Sequence, residues 1–431
     1  MKLTRRRYWV FFLLFLFSGI AYLDRVNMSV AGKPIAHEFG LSPVALGYLF
    51  SSFLWAYVLM MLPGGRLIDR WGTHAMAPIA VAVWSAAQMA TGMVGNFVMM
   101  LIVRLGIGIG EAPHAPISYG SVRVWSPYDE RGTAIAVISG GSSLGLALGA
   151  PAVAWLIHTM SWRWSFIITG AIGFVWVAVW AALVSTPEKT RWLPQAEREH
   201  ILAGRAAGIA PPSHDGVGYL GLIRCPAMWG LFISQGCLVY TGYLYISWLP
   251  NYLQTARHLS MLGSGIYTSI PFLVALVVGI VANWAGDRLL TAEAVRGGKR
   301  RYLVALSLLF MAAGLLIPFV QSLAAVITLI TITVSCAHVG PAANGALVSD
   351  LLRSPSDAGR AFAFLVLGGN TFGLLAPIVT GYVVAATGSF DTAFVVAGAL
   401  ALVGAVSALA LTHGTLGEHV RPARVRASLA N

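Results

Sequence analysis

The chain reads as long apolar runs cut by short polar punctuation. Tyr8 to Leu23 is almost unbroken hydrophobic sequence, and comparable runs recur along the chain. A helix that crosses a bilayer needs roughly 20 mostly apolar residues. About twelve segments meet that need, centred near Gly19, Trp55, Ala86, Gly108, Gly145, Val175, Tyr240, Leu273, Leu309, Val334, Leu374 and Leu402. The ten-residue alternation of a membrane β-barrel is absent from the pattern. The expectation is an all-α membrane protein with twelve transmembrane helices.

The longest polar stretch, residues 185–225, divides these helices six and six. The expected parts are an N-terminal six-helix bundle (1–184), a cytoplasmic central loop (185–225), a C-terminal six-helix bundle (226–412) and a cytoplasmic tail (413–431). A shift of 228 residues superimposes Pro113 on Pro341, Pro127 on Pro355, Asp129 on Asp357, Gly140-Gly141 on Gly368-Gly369, Gly145 on Gly373 and Gly170 on Gly398. One gap-free offset thus aligns spans four to six with ten to twelve, which reads as a duplication. Two parallel six-helix halves, with a substrate site near the midplane where they meet, are a transporter plan in which one half rocks on the other.

Composition agrees with the pattern: 57% of the 431 residues are hydrophobic and 10% charged, far from the values of soluble domains. Lys2 and Arg5 to Arg7 precede the first run as in a signal peptide. No convincing small-residue cleavage site follows, so the first helix is expected to stay. The net charge is +12, but its distribution argues against nucleic acid. With both termini inside, Lys33, Arg163 and Arg257 fall on the far side and Arg25 and Arg104 in the membrane, and the rest of the 28 lysines and arginines lie at cytoplasmic ends. That asymmetry predicts a multi-pass protein of the cell inner membrane with cytoplasmic termini. Cys225, Cys237 and Cys336 form no metal spacing and read as apolar filler. Neither a metal nor a cofactor is expected, and the chain is expected to be monomeric.

The informative anomaly is "IAYLDRVNMSV", residues 20–30, which sets Asp24 beside Arg25 in an oily helix. A charge at the bilayer centre costs on the order of 2.5–3.5 kcal/mol. Four such groups lie well inside spans, Asp24, Arg25, Arg104 and Glu111, all in the first half. At about 1.5 Å of rise per residue, Asp24 and Arg104 reach similar depths and are expected to pair across the bundle. Glu111 follows Arg104 by seven residues and shares its face. One reading makes these charges mutual helix glue. The other assigns work: arginine keeps its charge and offers a planar fork to a carboxylate, so Arg25 and Arg104 are candidate anion ligands. Burial favours a protonated carboxyl and a neighbouring arginine an ionised one, so Asp24 and Glu111 are candidate proton carriers.

"GGRLIDRWG", residues 64–72, resembles the loop signature between helices two and three of the major facilitator superfamily, and Asp287-Arg288 resembles its degenerate copy. The resemblance implies a gating role for Asp69 and Arg70; ordinary loop charges are the alternative, and their placement after the second span makes the match specific. "YLDRVNMSVA", "RLGIGIGEAPHAP" and "SWLPNYL" are similar to the anion:cation symporter family, over nearly the whole chain. Its members carry galactonate, hexuronates, glucarate, phthalate and related acids. The resemblance implies that Asp24 and Glu111 carry protons, Arg25 and Arg104 lie near substrate, Tyr22 and Tyr57 line the cavity and Asn370 contacts a sugar acid. The offset pairs Asn370 with Ser142, where the galactonate carrier places a glutamine; Ser142 is a candidate contact or a helix-packing residue.

The seventh run, residues 234–250, gathers Gln235, Tyr240, Tyr243 and Trp248 among Gly and Pro breaks, which suits a site-lining span; Trp248 reads equally as an interfacial aromatic. Asn344 faces the cavity or bonds helix to helix. His114 and His338 read as structural histidines ahead of proton relays. The expectation is a proton-coupled symporter importing a small organic carboxylate. An exchanger or uniporter of the same fold is the alternative; a receptor or embedded enzyme finds no supporting constellation.

Overall fold

In the computed structural model, residues 5–206, 216–289, 298–352, 354–414 and 416 are described. Their regular structure is helical: α1 Tyr8–Phe39, α2 Pro43–Thr91, α3 Phe97–Glu111, α4 His114–Trp125, α5 Arg131–Thr159, α6 Trp162–Leu183, α7 Gln195–Ala206, α8 Gly218–Ile223, α9 Pro226–Thr255, α10 Met261–Leu289, α11 Arg300–Met311, α12 Leu323–Leu351, α13 Ala358–Thr387 and α14 Asp391–Leu411. The side chains of Asp287 and Arg288, and most of the tail after residue 413, lie outside the described ones.

Ten helical stretches among the described residues are long and apolar enough to cross a membrane, and two details bring the count to twelve. The 49 residues of α2 would run about 73 Å at helical rise, more than twice a ~30 Å hydrocarbon core. Gly72 breaks it with φ 76° and ψ 160°, a backbone region in which a Cβ is strained and glycine is not. So α2 supplies spans two and three. The 30-residue α9 is long enough, but Gln235, Asn251, Gln254 and its tyrosines lower its apolarity. Local sequence fixes other ends: Ser42 caps α2 by accepting Ala45 N–H at 3.2 Å, and Asn96 caps α3 by accepting Met99 N–H at 2.9 Å.

Two compact units emerge. The first holds the described residues up to 206 together with 246–273, and the second 216–245 and 274 onward. In the first, Phe17 packs against Trp84 and Trp176, with ring centroids 5.3 and 5.2 Å away, and Trp176 stacks on Trp180 at 4.9 Å. Residues 246–273 are fastened there: Ser29 Oγ donates to the Ser247 carbonyl at 2.8 Å and the Trp248 ring meets Phe50 at 5.1 Å. Trp248 is 2% exposed, so it is a packed core residue and not an interfacial one. In the second unit, Leu231, Leu238, Leu308, Leu347 and Leu365 share one core.

The duplicated positions make duplicated contacts. A Cβ on Gly141 or Gly145 would strike the carbonyls of Phe15 and Gly19, so α5 lies backbone to backbone on α1. In the second unit their offset partners Gly369 and Gly373 pack on the side chains of Val239 and Tyr243 of α9, and Gly368 meets the Phe232 carbonyl. Gly170 seats α6 against Met89 of α2, and Gly398 seats α14 against Leu315, just past α11. Such small-residue seams let membrane helices approach closely.

The N-terminal arm is locked onto the first unit. Arg7 donates to Glu130 at 2.6 and 2.9 Å and to Glu197 of α7 at 2.9 Å, and Glu197 is fully buried. The Glu130 carboxylate first, and Glu197 after it, hold the Arg7 guanidinium above its ordinary pKa against the opposing pull of burial. In the second unit Asp357, the repeat partner of Asp129, instead accepts the Val217 and Gly218 N–H groups at 2.7 and 3.2 Å.

Candidate functional site

Spans one, two and four of the first unit bring the intramembrane charges together. Asp24 and Arg25 lie about 25 Å along α1. Pro113 interrupts the fourth span between α3 and α4, so Glu111 is the last residue of α3, two turns beyond Arg104. Arg25 grips one Glu111 oxygen twice, Nη2 to Oε2 at 2.8 Å and Nε to Oε2 at 3.0 Å. Both side chains are buried, at 8% and 0% exposure, and the second Glu111 oxygen has no hydrogen bond. Rings collar the guanidinium: Tyr22 at 4.6 Å, Phe53 at 5.3 Å and Tyr57 at 5.8 Å from their centroids, where ring faces favour a cation.

Arg104 is differently placed. It is 2% exposed, its Nε has no partner, and its Nη2 reaches the Phe50 carbonyl only at 3.5 Å. Its guanidinium sits 5.0 Å from the Phe53 ring. A buried guanidinium with so few acceptors is expensive unless something else supplies them. The expected pair of Asp24 with Arg104 is not made: both Asp24 oxygens are buried without a hydrogen-bond partner. Successive helical residues point about 100° apart. Arg25 therefore turns to the fourth span, whereas Asp24 turns to Gln88 of the third and Thr169 of the sixth, with Arg104 and Glu111 acting on it only through space.

Gln88 and Thr169 belong to a buried polar cluster that the sequence reading did not pick out. Asn27 Nδ2 and Gln88 Nε2 both donate to Thr169 Oγ1 at 3.0 Å, and Ser165 Oγ donates to Asn27 Oδ1 at 2.8 Å. The available signal was spacing: Asp24 and Asn27 share a face of α1, as Ser165 and Thr169 share one of α6. Phe53 was missed likewise, one turn before Tyr57. His114 stacks on Phe17 at 4.6 Å with Ser18 Oγ 3.2 Å from its Nε2, the setting of a structural histidine. Ser142 is half-buried beside the α5 seam, and Asp69 and Arg70 are exposed at the end of span two.

The second unit buries amides. Asn344 of α12 is fully buried and its Nδ2 lies 3.1 Å from each of the Leu231 carbonyl, Ser234 Oγ and Gln235 Oε1, all on α9. Of the two roles open to Asn344, the helix-to-helix bond is the one formed. Tyr243 packs on Gly373, and Asn370, half-buried, lies one turn before that glycine on α13. Among the described residues no group of three His, Cys, Asp or Glu side chains is arranged for a metal.

A D-galactonate transporter of Escherichia coli is 31% identical to the chain, covering 95% of this chain and 96% of its own. A Bacillus subtilis protein described as "Probable galactarate/D-glucarate transporter" is 30% identical over 95% of this chain and 92% of its own. A Cupriavidus necator protein described as "Probable sulfoacetate transporter" is 28% identical over 94% of each. The fold resembles that of a bacterial homolog to the human lysosomal transporter Spinster, solved in an inward-facing, occupied conformation. That match has a TM-score of 0.73 and 18% identity, covering 95% of this chain and 97% of that one. It also resembles a D-xylose-proton symporter, with a TM-score of 0.72 and 15% identity over 95% and 98%. A family model described as Major Facilitator Superfamily matches residues 14–297 and 231–430. The twelve helices, the duplicated seams and these matches agree: the chain belongs to the Major Facilitator Superfamily, whose members here are transporters and not enzymes.

Proposed function

We propose that this transporter is a proton-coupled symporter that imports a small organic anion, a sugar acid or related carboxylate, by alternating access. The observation that carries the reading is an imbalance: of the two arginines inside the spans, Arg25 is held by Glu111 and Arg104 has no carboxylate partner among the described residues. A carboxylate cargo supplies what Arg104 lacks, in the bidentate geometry that a guanidinium favours. Protonation of Glu111 removes the charge that holds Arg25 and turns it toward the same anion. Proton and anion then enter together, since each offsets the charge the other introduces. Asp24 serves as the second proton carrier.

Tyr22, Phe53 and Tyr57 shape the aromatic wall around Arg25. Gln235, Tyr243 and Asn370 in the second half, with Ser142 in the first, are the proposed contacts to the hydroxyl end of the cargo; Asn344 acts there through Gln235. A D-galactonate transporter, and relatives described as "Probable galactarate/D-glucarate transporter" and "Probable sulfoacetate transporter", support an acidic cargo. Asp69 and Arg70 are proposed gate residues on the cytoplasmic side. The charge asymmetry along the chain supports cytoplasmic termini in a cell inner membrane, with a monomer as the working unit.

The test is uptake into vesicles holding the purified protein, assayed with a panel of sugar acids, with and without an imposed inward proton gradient. Accumulation against the anion gradient only when the proton gradient is present is expected. Equal anion movement in both conditions would replace symport with exchange or facilitated diffusion.

A further inference from the structure

Asp24 is the strangest group in the first unit. It is 1% exposed, and neither carboxyl oxygen has a hydrogen-bond partner. A neutral carboxyl tolerates such a place far better than an ionised one, which needs donors or a cation at contact. A group that must shed its proton there needs donors held ready nearby.

Gln88 and Thr169 border Asp24 and are themselves 0% and 1% exposed. Thr169 Oγ1 accepts from Asn27 and Gln88 at 3.0 Å each, while its own proton goes to the Phe166 carbonyl at 3.3 Å, the longest bond of the group. Gln88 spends one of its two Nε2 protons on Thr169, and its Oε1 has no partner. The Thr169 hydroxyl proton and the second Gln88 amide proton are thus weakly committed donors. Asn27, pinned by Ser165 at 2.8 Å, keeps the threonine in place.

We infer that Gln88 and Thr169 are positioning residues that turn their donors onto the Asp24 carboxylate when it loses its proton, and so set the pH at which it does. This rests on the reading of Asp24 as a proton carrier. The charged groups acting on Asp24 are Arg104 and Glu111 of the fourth span. Arg25, beside it in sequence, is occupied by Glu111. The other elements packed on α1 offer His114 at the start of α4, and Arg131, His158 and Arg163 near the ends of α5 and α6. The third span brings Gln88 to this level and no charge. Beside the Arg104 charge acting through space, the two neutral donors are therefore the contact groups that can stabilise the ionised state.

Infrared difference spectroscopy of the purified full chain in lipid nanodiscs tests this. The protonated-carboxyl band of Asp24 is identified by its loss in Asp24→Asn. Its titration midpoint is expected to move up by about one pH unit in Thr169→Val and in Gln88→Met, the worth of one hydrogen bond to a charged group, and to return in Thr169→Ser. If Thr169→Val does not fold, Gln88→Met and Thr169→Ser carry the test. An Asp24 midpoint that stays put in the folded variants overturns the inference, as does an Asp24 band that never titrates. A moved midpoint with uptake indifferent to the proton gradient would leave the inference standing and remove the symport reading instead.

Discussion

Gly145 seats the fifth span on the first and Gly373 seats the eleventh on the seventh, at one offset of 228 residues, yet the polar groups these helices bury differ in kind. The first half buries Asp24, Arg25, Arg104 and Glu111, with one ion pair made and the other two groups left short of partners. Within its described spans the second buries neutral amides, with Asn344 knitting α12 to α9, and its buried carboxylate Asp357 lies at the loop end of α13. Small residues at close approaches were copied because a scaffold needs them in both places. Charge was not copied, because each buried ion costs stability that only a function offsets. On the proposed function, this contrast amounts to a division of labour: coupling and anion capture in the first half, packing and recognition of neutral groups in the second.

Substitutions sharpen that contrast. The largest effect is expected at Arg104: Arg104→Ala should lower uptake of the preferred acid by about a hundredfold or more, in line with losing one partner of a buried charge contact. Its thermal stability should hold or rise, since the parent buries that cation nearly alone. Retained uptake would place anion capture elsewhere. Next is Glu197→Ala, which removes the acceptor of the Arg6 and Arg7 N–H groups and leaves the Arg7 guanidinium on Glu130 alone; it should destabilise the first half by about 2–3 kcal/mol, read as a lowered unfolding midpoint. Asp357→Asn, whose parent carboxylate meets backbone N–H groups and Arg360, should cost less, and an equal cost would erase the distinction between the two buried carboxylates.

A smaller effect is expected at Asn344. Asn344→Ala removes a buried donor and should cost about 1–3 kcal/mol of stability, while uptake per folded molecule falls only a few-fold. A loss of uptake as deep as that of Arg104→Ala would move coupling chemistry into the second half. The last expected change is at Gly72, where alanine must adopt a glycine conformation at a cost of about 1–3 kcal/mol; a melting shift no larger than in Asn344→Ala is the check.

Much of this was legible in one dimension. Apolar runs gave the twelve spans, and the offset anticipated the paired seams, because helix length and small-residue contacts are local properties. The seventh span stood out through its polar aromatics, which also hid it from a purely apolar criterion. The pairing of charges was not legible. Sequence separation fixes which residues share a face of one helix, but not which neighbour that face meets. So Arg104 and Glu111 were placed correctly on one side, while Asp24 was matched to the wrong partner. The Gln88, Thr169 and Asn27 cluster escaped for the same reason, its members being 61 and 142 residues from Asn27 along the chain. Asn344 illustrates the converse, an amide whose type fits cavity and packing alike until its three neighbours are seen.

The central claim is that an anion and a proton share the Arg25, Arg104 and Glu111 cluster. Proton uptake on binding, followed with a pH indicator in weakly buffered solutions of the purified protein, tests it most directly. Addition of a bound sugar acid should draw protons from solution, and Glu111→Gln should bind the acid while drawing fewer. Binding by the parent chain with no proton taken up at any pH would contradict the account.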